Sequence, residues 1–317
     1  MPGGKSHAPL PGSRGLSSRT PKDLAASVRQ RLLDRSRRGD RPFGELLQHF
    51  ALERFLYRLS RSAQCERFIL KGALLLQAWR ASKFRPTKDI DLLGRTSNEE
   101  ATVLVQVRDI LGTKVEADGL IFDPDSLQAE RIVEDADYEG IRIRFHGALG
   151  TAKVSMQLDI AFNDVVSPEP EMLTLPASLD LPAPRLLCYS KESSIAEKFQ
   201  AMVKLGELNS RMKDFHDIWM LSRQFDFQGT QLVEAIRLTF ERRNTPWPDE
   251  IEAFTTAFAQ AKQNQWAAFR RRLDQEHLPL DFQEIIAHLG GFLQPIIDSL
   301  GAEDTTPDQW QAPGPWL

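Results

Sequence analysis

The sequence predicts an α+β fold, in which helices and strands share the first half of the chain and helices alone fill the second. Short apolar runs of strand length recur up to Phe162, and several alternate apolar with polar residues. A proline-rich stretch at 167–185 breaks this pattern, because proline suits neither a helix interior nor a central strand. After Ser190, apolar residues recur at helical spacing to about Leu300.

The first predicted element is a helix over residues 21–36. Thr20 and Asp23 have the spacing of a capping box, and Pro21 suits the first helical turn. Hydrophobic periodicity predicts the elements that follow: a helix at 42–61, a strand at 67–70, a helix at 73–81, a strand at 88–93, a helix at 98–111, and strands near 141–146 and 152–162.

The C-terminal half is predicted to be helical at 229–241, 248–261, 263–275 and 281–299. We therefore expect four segments along the chain. They are a disordered tail at 1–20, a basic helical lead-in with the sheet-containing core at 21–185, a helical domain at 186–300, and a loose tail at 301–317. Within the last tail, Trp310 and Trp316 are the residues able to pin it to the rest of the chain.

Composition indicates a soluble, cytoplasmic protein with no membrane segment. The chain has 317 residues, of which 41% are hydrophobic and 26% are charged. It contains no apolar run of about eighteen residues, and residues 1–20 lack the apolar core of a secretion signal. Cys65 and Cys188 are too few for a disulfide framework or a four-ligand zinc site.

Charge is distributed unevenly along the chain. Residues 1–95 contain 20 Lys and Arg against 8 Asp and Glu, whereas residues 96–317 contain 20 against 36. Such a basic front attracts a polyanion larger than a nucleotide, for which RNA is the natural candidate, unless its cations only solvate helix faces or dock against the acidic remainder. The front includes Arg29, Arg31, Arg35, Arg37, Arg38, Arg41, Arg54, Arg58, Arg61, Arg80, Lys83, Arg85 and Lys88.

The most informative local pattern is the Asp-x-Asp of Asp89 and Asp91. Successive side chains of a strand point to opposite faces, so Asp89 and Asp91 project together, away from the core. Adjacent carboxylates repel each other unless a cation lies between them, and hard oxygen ligands suit Mg²⁺ or Mn²⁺. The alternative is an exposed strand edge at which Lys88 neutralises Asp89.

A later strand adds a third carboxylate. Residues 154–162 alternate, with Asp159 on the face opposite the apolar side chains. Asp89, Asp91 and Asp159 would then form a cage able to hold two divalent ions, the arrangement that stabilises the attacking and leaving oxygens of phosphoryl transfer. A solvated strand face is the alternative for Asp159.

Phosphate is expected near Lys71 and Gly72, which close one predicted strand and open the helix at 73–81. Backbone N–H groups at such a position can bind phosphate. Lys191 and Lys198 are seven residues apart and share one helix face. Because lysine is a compact cation, Lys198 is the candidate for neutralising the phosphates of an incoming nucleotide, with a solvated helix face as the alternative.

The next predicted helix places three charged residues on its polar face, namely Lys213, Asp214 and Asp217. Phe215 and Ile218 belong to its apolar stripe. Lys213 and Asp217 have the spacing of an ion pair within one helix. A structural ion pair is therefore one interpretation of Asp217.

These motifs resemble those of a known enzyme superfamily. A glycine turn, a helix, Asp-x-Asp and a later strand aspartate resemble the nucleotidyltransferases, which implies a nucleotidyltransferase-type mixed sheet flanked by helices. The segments 191–199 and 211–219 are similar to the Lys-bearing and Lys-Asp-x-x-Asp motifs of the AbiEii/AbiGii toxin family. The resemblance covers about residues 68–221. One departure is Gly72-Ala73, where the family usually has a serine or threonine hydroxyl after glycine.

The resemblance implies a role for each matching residue. The metal ligands would be Asp89, Asp91 and Asp159. The catalytic residues would be these three aspartates together with Lys198 and Asp214. Nucleotide-binding residues would be Lys71, Gly72, Lys191, Lys198 and Lys213. Asp214 would either orient an attacking hydroxyl or position Lys198.

Three functions follow from these observations. The first is a Mg²⁺- or Mn²⁺-dependent enzyme that moves a nucleoside monophosphate from an NTP to an acceptor hydroxyl. The family resemblance implies the toxin of a bacterial toxin–antitoxin or phage-defence pair, with an RNA acceptor such as the tRNA 3′ end and a cognate antitoxin protein. The second is a small-molecule adenylyltransferase that modifies aminoglycoside-like substrates. The third is an inactive protein that keeps the fold and binds RNA or a partner, an interpretation that the missing hydroxyl supports.

Overall fold

A computed structural model of the chain describes residues 21–39, 41–81, 87–134, 138–248, 250–273, 277–300 and 306–317. The predicted disordered tail at 1–20 lies outside these ranges, as do Lys83 and Arg85 of the basic front. The described residues confirm the α+β class, with a mixed sheet flanked by helices and a helical C-terminal part.

The N-terminal half contains most of the strands. Its elements are α1 (Pro21–Arg38), α2 (Phe43–Arg61), β1 (Phe68–Lys71), a 3-10 turn (Gly72–Leu74), α3 (Leu75–Ala78), β2 (Ile90–Gly94), α4 (Glu100–Leu111), β3 (Leu120–Glu134), β4 (Tyr138–Leu149), β5 (Ala152–Phe162), β6 (Glu171–Thr174) and β7 (Arg185–Cys188). The helix predicted at 73–81 is shorter than expected and begins as a 3-10 turn.

Within the described ranges, seven strands form one mixed sheet in the order β3-β4-β5-β2-β1-β7-β6. Strands β2 and β5 are parallel, as are β1 and β7, and the other neighbours are antiparallel. Sequence periodicity misses β3 and β6, because both are edge strands with exposed or charged residues and β3 also contains Pro124. It also misses the inner strand β7, which has only four residues and follows the proline-rich stretch.

Helix α2 lies at the centre of the first hydrophobic core, between the sheet and helices α1 and α4. Two arginines of the predicted basic front are buried in this helix. Arg58 donates to both oxygens of Asp118, at 2.8 and 3.1 Å, and Arg54 lies 2.6 Å from Glu53. The expectation that Arg54 and Arg58 attract a polyanion is therefore wrong, since these arginines neutralise carboxylates inside the protein.

The C-terminal half packs a second hydrophobic core. Its elements are α5 (Lys191–Leu205), a 3-10 turn (Gly206–Leu208), α6 (Met212–Gln224), β8 (Phe227–Gln228), α7 (Gly229–Arg242), a 3-10 turn (Glu252–Phe254), α8 (Thr256–Leu273), α9 (Phe282–Leu300) and β9 (Gln309–Trp310). The two helices predicted at 248–261 and 263–275 are a 3-10 turn and the single helix α8. None of the helices in the described ranges combines the length and apolar character that a bilayer crossing requires.

Residues 306–317 are folded, which corrects the expectation of a loose tail at the C-terminus. Strand β9 pairs with β8, and the buried indole of Trp310 donates from Nε1 to the carbonyl of Ser222 at 2.6 Å. The indole of Trp316 donates to the carbonyl of Phe292 at 2.8 Å. The two tryptophans therefore hold the tail against α6 and α9.

We expect Trp310→Ala to lower the free energy of unfolding by about 3–5 kcal/mol, because it removes a large buried ring and leaves a cavity. Urea denaturation followed by far-UV circular dichroism measures this change. The matched control is Leu317→Ala, since Leu317 is exposed and its truncation should cost less than about 0.5 kcal/mol. A loss below about 1 kcal/mol for Trp310→Ala would restore the prediction of a loose tail.

Candidate active site

The polar face of the sheet carries one row of four charged residues, each from a neighbouring strand. Strand register places Lys71 of β1 opposite Asp91 of β2. It also places Asp91 beside Asp159 of β5, and Asp159 opposite Arg142 of β4. The alternate residues of β2 and β5 are buried in the core on the other face. The carboxylates of Asp91 and Asp159 thus lie side by side, and Lys71 and Arg142 lie at the two ends of the row.

Gly72 and Asp91 are in direct contact at this face. Gly72 has a φ of +74°, and a Cβ atom at this position would overlap the carboxylate of Asp91. Only glycine combines this left-handed backbone with room for the carboxylate. Ala73, which stands where the family usually has a hydroxyl, is buried. The glycine at this turn therefore leaves the space that the carboxylate of Asp91 occupies.

Asp89 lies immediately before β2 and is partly buried. Burial raises the pKa of the Asp89 carboxyl, and the negative charge of Asp159 raises it further. The charges of Arg142 and Lys213 oppose this effect in part. A cation bound near Asp89 would therefore favour its ionised form.

Asp159 is bound by a guanidinium group. Arg142 donates from Nε to Oδ1 and from Nη2 to Oδ2, each at 2.8 Å, and Nε2 of Gln157 lies 3.2 Å from both oxygens. No group of three or more metal-ligating side chains occurs within the ranges that the structure describes. The predicted three-carboxylate cage is therefore not formed, because Arg142 occupies both oxygens of Asp159.

Lys71 belongs to a buried cluster of ion pairs. Its Nζ lies 2.9 Å from Asp164 and 2.8 Å from Glu197, and Arg243 lies 3.0 Å from Asp164. Burial opposes the charge on Lys71, but attraction to Asp164 and Glu197 outweighs burial and raises the pKa of the ammonium. Burial likewise opposes ionisation of Asp164, but Lys71 and Arg243 together lower the pKa of its carboxyl to about 2. Phosphate would have to compete with these carboxylates for Lys71.

Lys198 of α5 is held between two aspartates of α6. Its Nζ lies 3.1 Å from Oδ1 of Asp214 and 3.1 Å from Oδ2 of Asp217. The side chain of Lys198 is 17% exposed, whereas those of the two aspartates are 1% exposed. Asp217 thus forms a structural ion pair, and its partner in this contact is Lys198 of the neighbouring helix.

Asp214 has one carboxylate oxygen without a hydrogen bond. Its Oδ2 lies 2.8 Å from Nε of Arg211 in an ion pair that is not a hydrogen bond. A buried acceptor of this kind costs free energy comparable to that of a lost hydrogen bond. Of the two roles predicted for Asp214, its contact with Lys198 corresponds to positioning that lysine.

A cleft between the sheet and helices α5 and α6 gathers most of the predicted residues. Its lining includes Lys71, Gly72, Asp91, Lys198, Lys213 and Asp214, together with Asp217, Glu197, Arg211 and Arg243. Asp89, Asp159 and Lys191 lie outside this lining. Nζ of Lys191 lies 5.9 Å from the ring centre of Trp79 and 5.3 Å from that of Phe225. The structure thus brings Lys71, Gly72, Asp91, Lys198, Lys213 and Asp214 together, whereas Lys191 only contacts the edge of this group through Trp79.

Sequence reasoning misses Arg142, Asp164, Glu197, Arg211 and Arg243. One signal could have identified Arg142. The two-residue turn at Gly150-Thr151 joins β4 to β5, and the register of such a hairpin places Arg142 opposite Asp159. Glu197 has no comparable signal, since its helical position resembles a solvated face although its side chain is 15% exposed.

Comparisons with known proteins identify relatives of this chain. A family described as "Nucleotidyl transferase AbiEii toxin, Type IV TA system" matches residues 54–295. The search of curated proteins found no significant match. Family membership depends on the match over 54–295, which spans more than half of the chain.

Two solved structures are similar in outline. MenT4, a nucleotidyltransferase toxin from Mycobacterium tuberculosis H37Rv, has 18% sequence identity and a TM-score of 0.46, with 87% of this chain and 98% of MenT4 covered. JHP933 from Helicobacter pylori has 13% identity and a TM-score of 0.41, with 79% of this chain and 90% of JHP933 covered.

We expect Lys198→Met to lower the free energy of unfolding by about 2–4 kcal/mol, because it leaves two buried carboxylates without their lysine. The expected loss of unfolding free energy is smaller than for two buried carboxylates without any cation, since Arg211 still lies beside Asp214. Urea denaturation at pH 7 measures the change. The second variant Lys198→Met/Asp217→Asn should recover part of it.

The matched control for this prediction is Lys213→Met, an exposed lysine at the start of α6. Its unfolding free energy should change by less than about 0.5 kcal/mol. Equal small losses for Lys198→Met and Lys213→Met would show that the contacts of Lys198 do not stabilise the helical domain.

Proposed function

The chain belongs to the AbiEii family of nucleotidyltransferase toxins of type IV toxin–antitoxin systems, and on this basis we propose that it transfers a nucleoside monophosphate from an NTP to an RNA hydroxyl. Pyrophosphate is the leaving group. The observation that carries the proposal is the cleft in which Gly72 and Asp91 of the sheet face Lys198 and Asp214 of the helices. Family membership implies a nucleotide substrate and an antitoxin partner. The cytoplasm, where NTPs and RNA occur together, is the proposed location.

A divalent cation, Mg²⁺ or Mn²⁺, is proposed to bind at Asp89 and Asp91. Both carboxylates are partly exposed, and they flank the buried Ile90. Mg²⁺ usually keeps several waters and takes one or two protein carboxylates plus substrate phosphates, so this pair fits its preferences. When bound, such an ion would supply neutralisation of the charge that develops on the phosphates.

Positive charge for the phosphates comes from the helical side of the cleft. Lys213 is exposed at the start of α6, and its charge reaches Asp89. The side chain of Arg211 is 39% exposed and lines the same cleft. Lys198 is held in the lining by Asp214 and Asp217, which keeps its ammonium oriented for a triphosphate. Lys191 is not proposed as a nucleotide ligand, because it does not line the cleft and its ammonium lies over the rings of Trp79 and Phe225, of which only Trp79 belongs to the lining.

The acceptor hydroxyl is proposed to approach Asp214. One oxygen of this carboxylate holds Lys198, while the other accepts no hydrogen bond and forms an ion pair with Arg211. A phosphate that attracts Arg211 would free that oxygen to accept a hydrogen bond from the hydroxyl. Asp214 would then orient the acceptor and position Lys198 with its two separate oxygens.

A basic groove beside the cleft is the proposed path of the RNA. It is lined by Ser210, Arg211, Met212, Lys213, Gln265, Ala268, Phe269 and Arg272. Arg211 and Lys213 line both this groove and the cleft, so a polyanion lying in the groove would enter the site. A cationic aminoglycoside would instead meet charges of its own sign here. The groove therefore supports RNA, such as the tRNA 3′ end, over a small cationic acceptor.

The proposal is tested by incubating the protein with each α-labelled NTP, total tRNA and Mg²⁺. We expect label on RNA with at least one NTP, and a loss of about 100-fold or more in Asp89→Ala/Asp91→Ala, because several kcal/mol of charge stabilisation are removed. The matched control is Asp123→Ala/Asp125→Ala, which removes an exposed Asp-x-Asp pair from the edge strand β3. Label that persists in Asp89→Ala/Asp91→Ala would contradict the assigned site.

The acceptor path yields a separate prediction. Arg272→Ala should weaken RNA binding a few-fold at physiological salt and reduce the slope of log affinity against log salt by about one, because one phosphate contact is lost. Fluorescence anisotropy of labelled tRNA over a range of KCl concentrations measures both quantities. Binding of NTP should be unchanged.

The control for the acceptor path is Arg37→Ala, which removes an exposed arginine of the basic front on α1. If Arg37→Ala weakens RNA binding and Arg272→Ala does not, the RNA follows α1 rather than the groove beside α8. If both variants bind RNA like the wild type, neither surface is the path of the acceptor.

A further inference from the structure

The site differs from a two-ion centre at its third carboxylate. Two-ion phosphoryl-transfer sites hold two divalent cations about 3.5–4 Å apart with bridging and flanking carboxylates. Here Asp91 and Asp159 are register partners on adjacent parallel strands, as such a centre would require. Both oxygens of Asp159, however, accept hydrogen bonds from Arg142 at 2.8 Å.

We propose that the guanidinium of Arg142 takes the place of a second metal ion, so that the site binds one divalent cation and not two. The inference rests on the proposed metal site at Asp89 and Asp91. It goes further by stating how many divalent cations the site binds and that Arg142 limits this number. Arg142 neutralises Asp159, and its charge also acts on Asp89.

The geometry of the pair supports a fixed cation. Two parallel N–H···O bonds engage the whole carboxylate edge, which is the strongest arrangement available to arginine. Gln157 donates to the same oxygens, so Asp159 has little capacity left for a metal. Arg142 is itself placed by the hairpin register, because β4 and β5 pair along their length. Arginine remains protonated at all physiological pH values, so this charge is permanent.

The contacts of Arg142 reach beyond Asp159 to the outer strand. Its Nη1 lies 3.8 Å from Glu130 of β3, and Glu130 also lies 2.9 Å from Arg144. Arg144 is on the same strand and the same face as Arg142, but the residue opposite it on β5 is Gln157 rather than Asp159. Arg142 could serve only to pair β4 with β5, or it could replace a metal ion. The two roles make different predictions, because only the second requires the number of bound ions to change when Arg142 is lost.

The experiment counts Mn²⁺ ions on the nucleotide-free, full-length protein by electron paramagnetic resonance, which reports free Mn²⁺ directly. We expect one ion per chain in the wild type. Arg142→Met should bind two, with the spectrum of a spin-coupled pair in place of isolated ions. The matched control Arg144→Met removes a guanidinium two residues away and should bind one.

A second variant keeps the inference testable if Arg142→Met does not fold. Arg142→Gln/Asp159→Asn, which removes the two opposite charges together, should still bind one Mn²⁺, with an affinity within about threefold of the wild type, because Asp159 is not a ligand. A tenfold or larger loss of affinity in this double variant would overturn the inference, since it would make Asp159 a ligand.

The ion counts separate the inference from the proposed function. Two ions on the wild type, or one ion on a folded Arg142→Met, would overturn the role of Arg142 and leave the metal site at Asp89 and Asp91 intact. Absence of bound Mn²⁺ from the wild type and all variants would overturn that metal site and the inference together.

Discussion

The register of four neighbouring strands is the constraint on which the rest of the site depends. Because β1, β2, β5 and β4 are adjacent, one row across the sheet contains Lys71, Asp91, Asp159 and Arg142. A shift of one residue in any strand would bury these charges and expose core residues, since side chains alternate between faces. Burial of the opposite face against α2 therefore fixes the position of every charge in the row.

Ion pairs across element boundaries join the helical domain to this sheet. Lys71 of β1 contacts Glu197 of α5, and Lys198, one residue further along α5, contacts Asp214 and Asp217 of α6. Buried pairs of this kind add little net stability, because desolvation offsets much of their attraction. Removing one partner is costly, however, so the pairs restrict how α5 and α6 can sit over the sheet. Lys71, Glu197, Lys198, Asp214 and Asp217, which line the cleft, are each held by at least one opposite charge.

The same arrangement explains how the chain departs from its family at Gly72-Ala73. Gly72 is required because the carboxylate of Asp91 occupies the space of a Cβ atom, whereas Ala73 is buried. The glycine thus serves the strand that carries Asp91 directly. In the proposed function, phosphate contacts come from Arg211 and Lys213 at the start of α6 rather than from a hydroxyl at the turn.

The sequence predicted the helices and strands more fully than it predicted which side chains contact each other. Periodicity predicted α1, α2, β1, β2, β5 and the C-terminal helices, because each has a local pattern of apolar residues. It missed the edge strands β3 and β6, whose patterns are weak, and the short inner strand β7. It treated the C-terminal tail as loose because the hydrogen-bond partners of Trp310 and Trp316 lie on helices distant in sequence.

The sequence by itself determined the fold class and the family, and it identified Gly72, Asp91, Lys198 and Asp214, which the cleft brings together. Tertiary structure alone decided which charge each residue meets. Asp159 is bound by Arg142, Lys71 by Asp164 and Glu197, and Asp217 by Lys198. The physical reason is that periodicity is a local property of the chain, whereas an ion pair depends on which elements pack together and in which register.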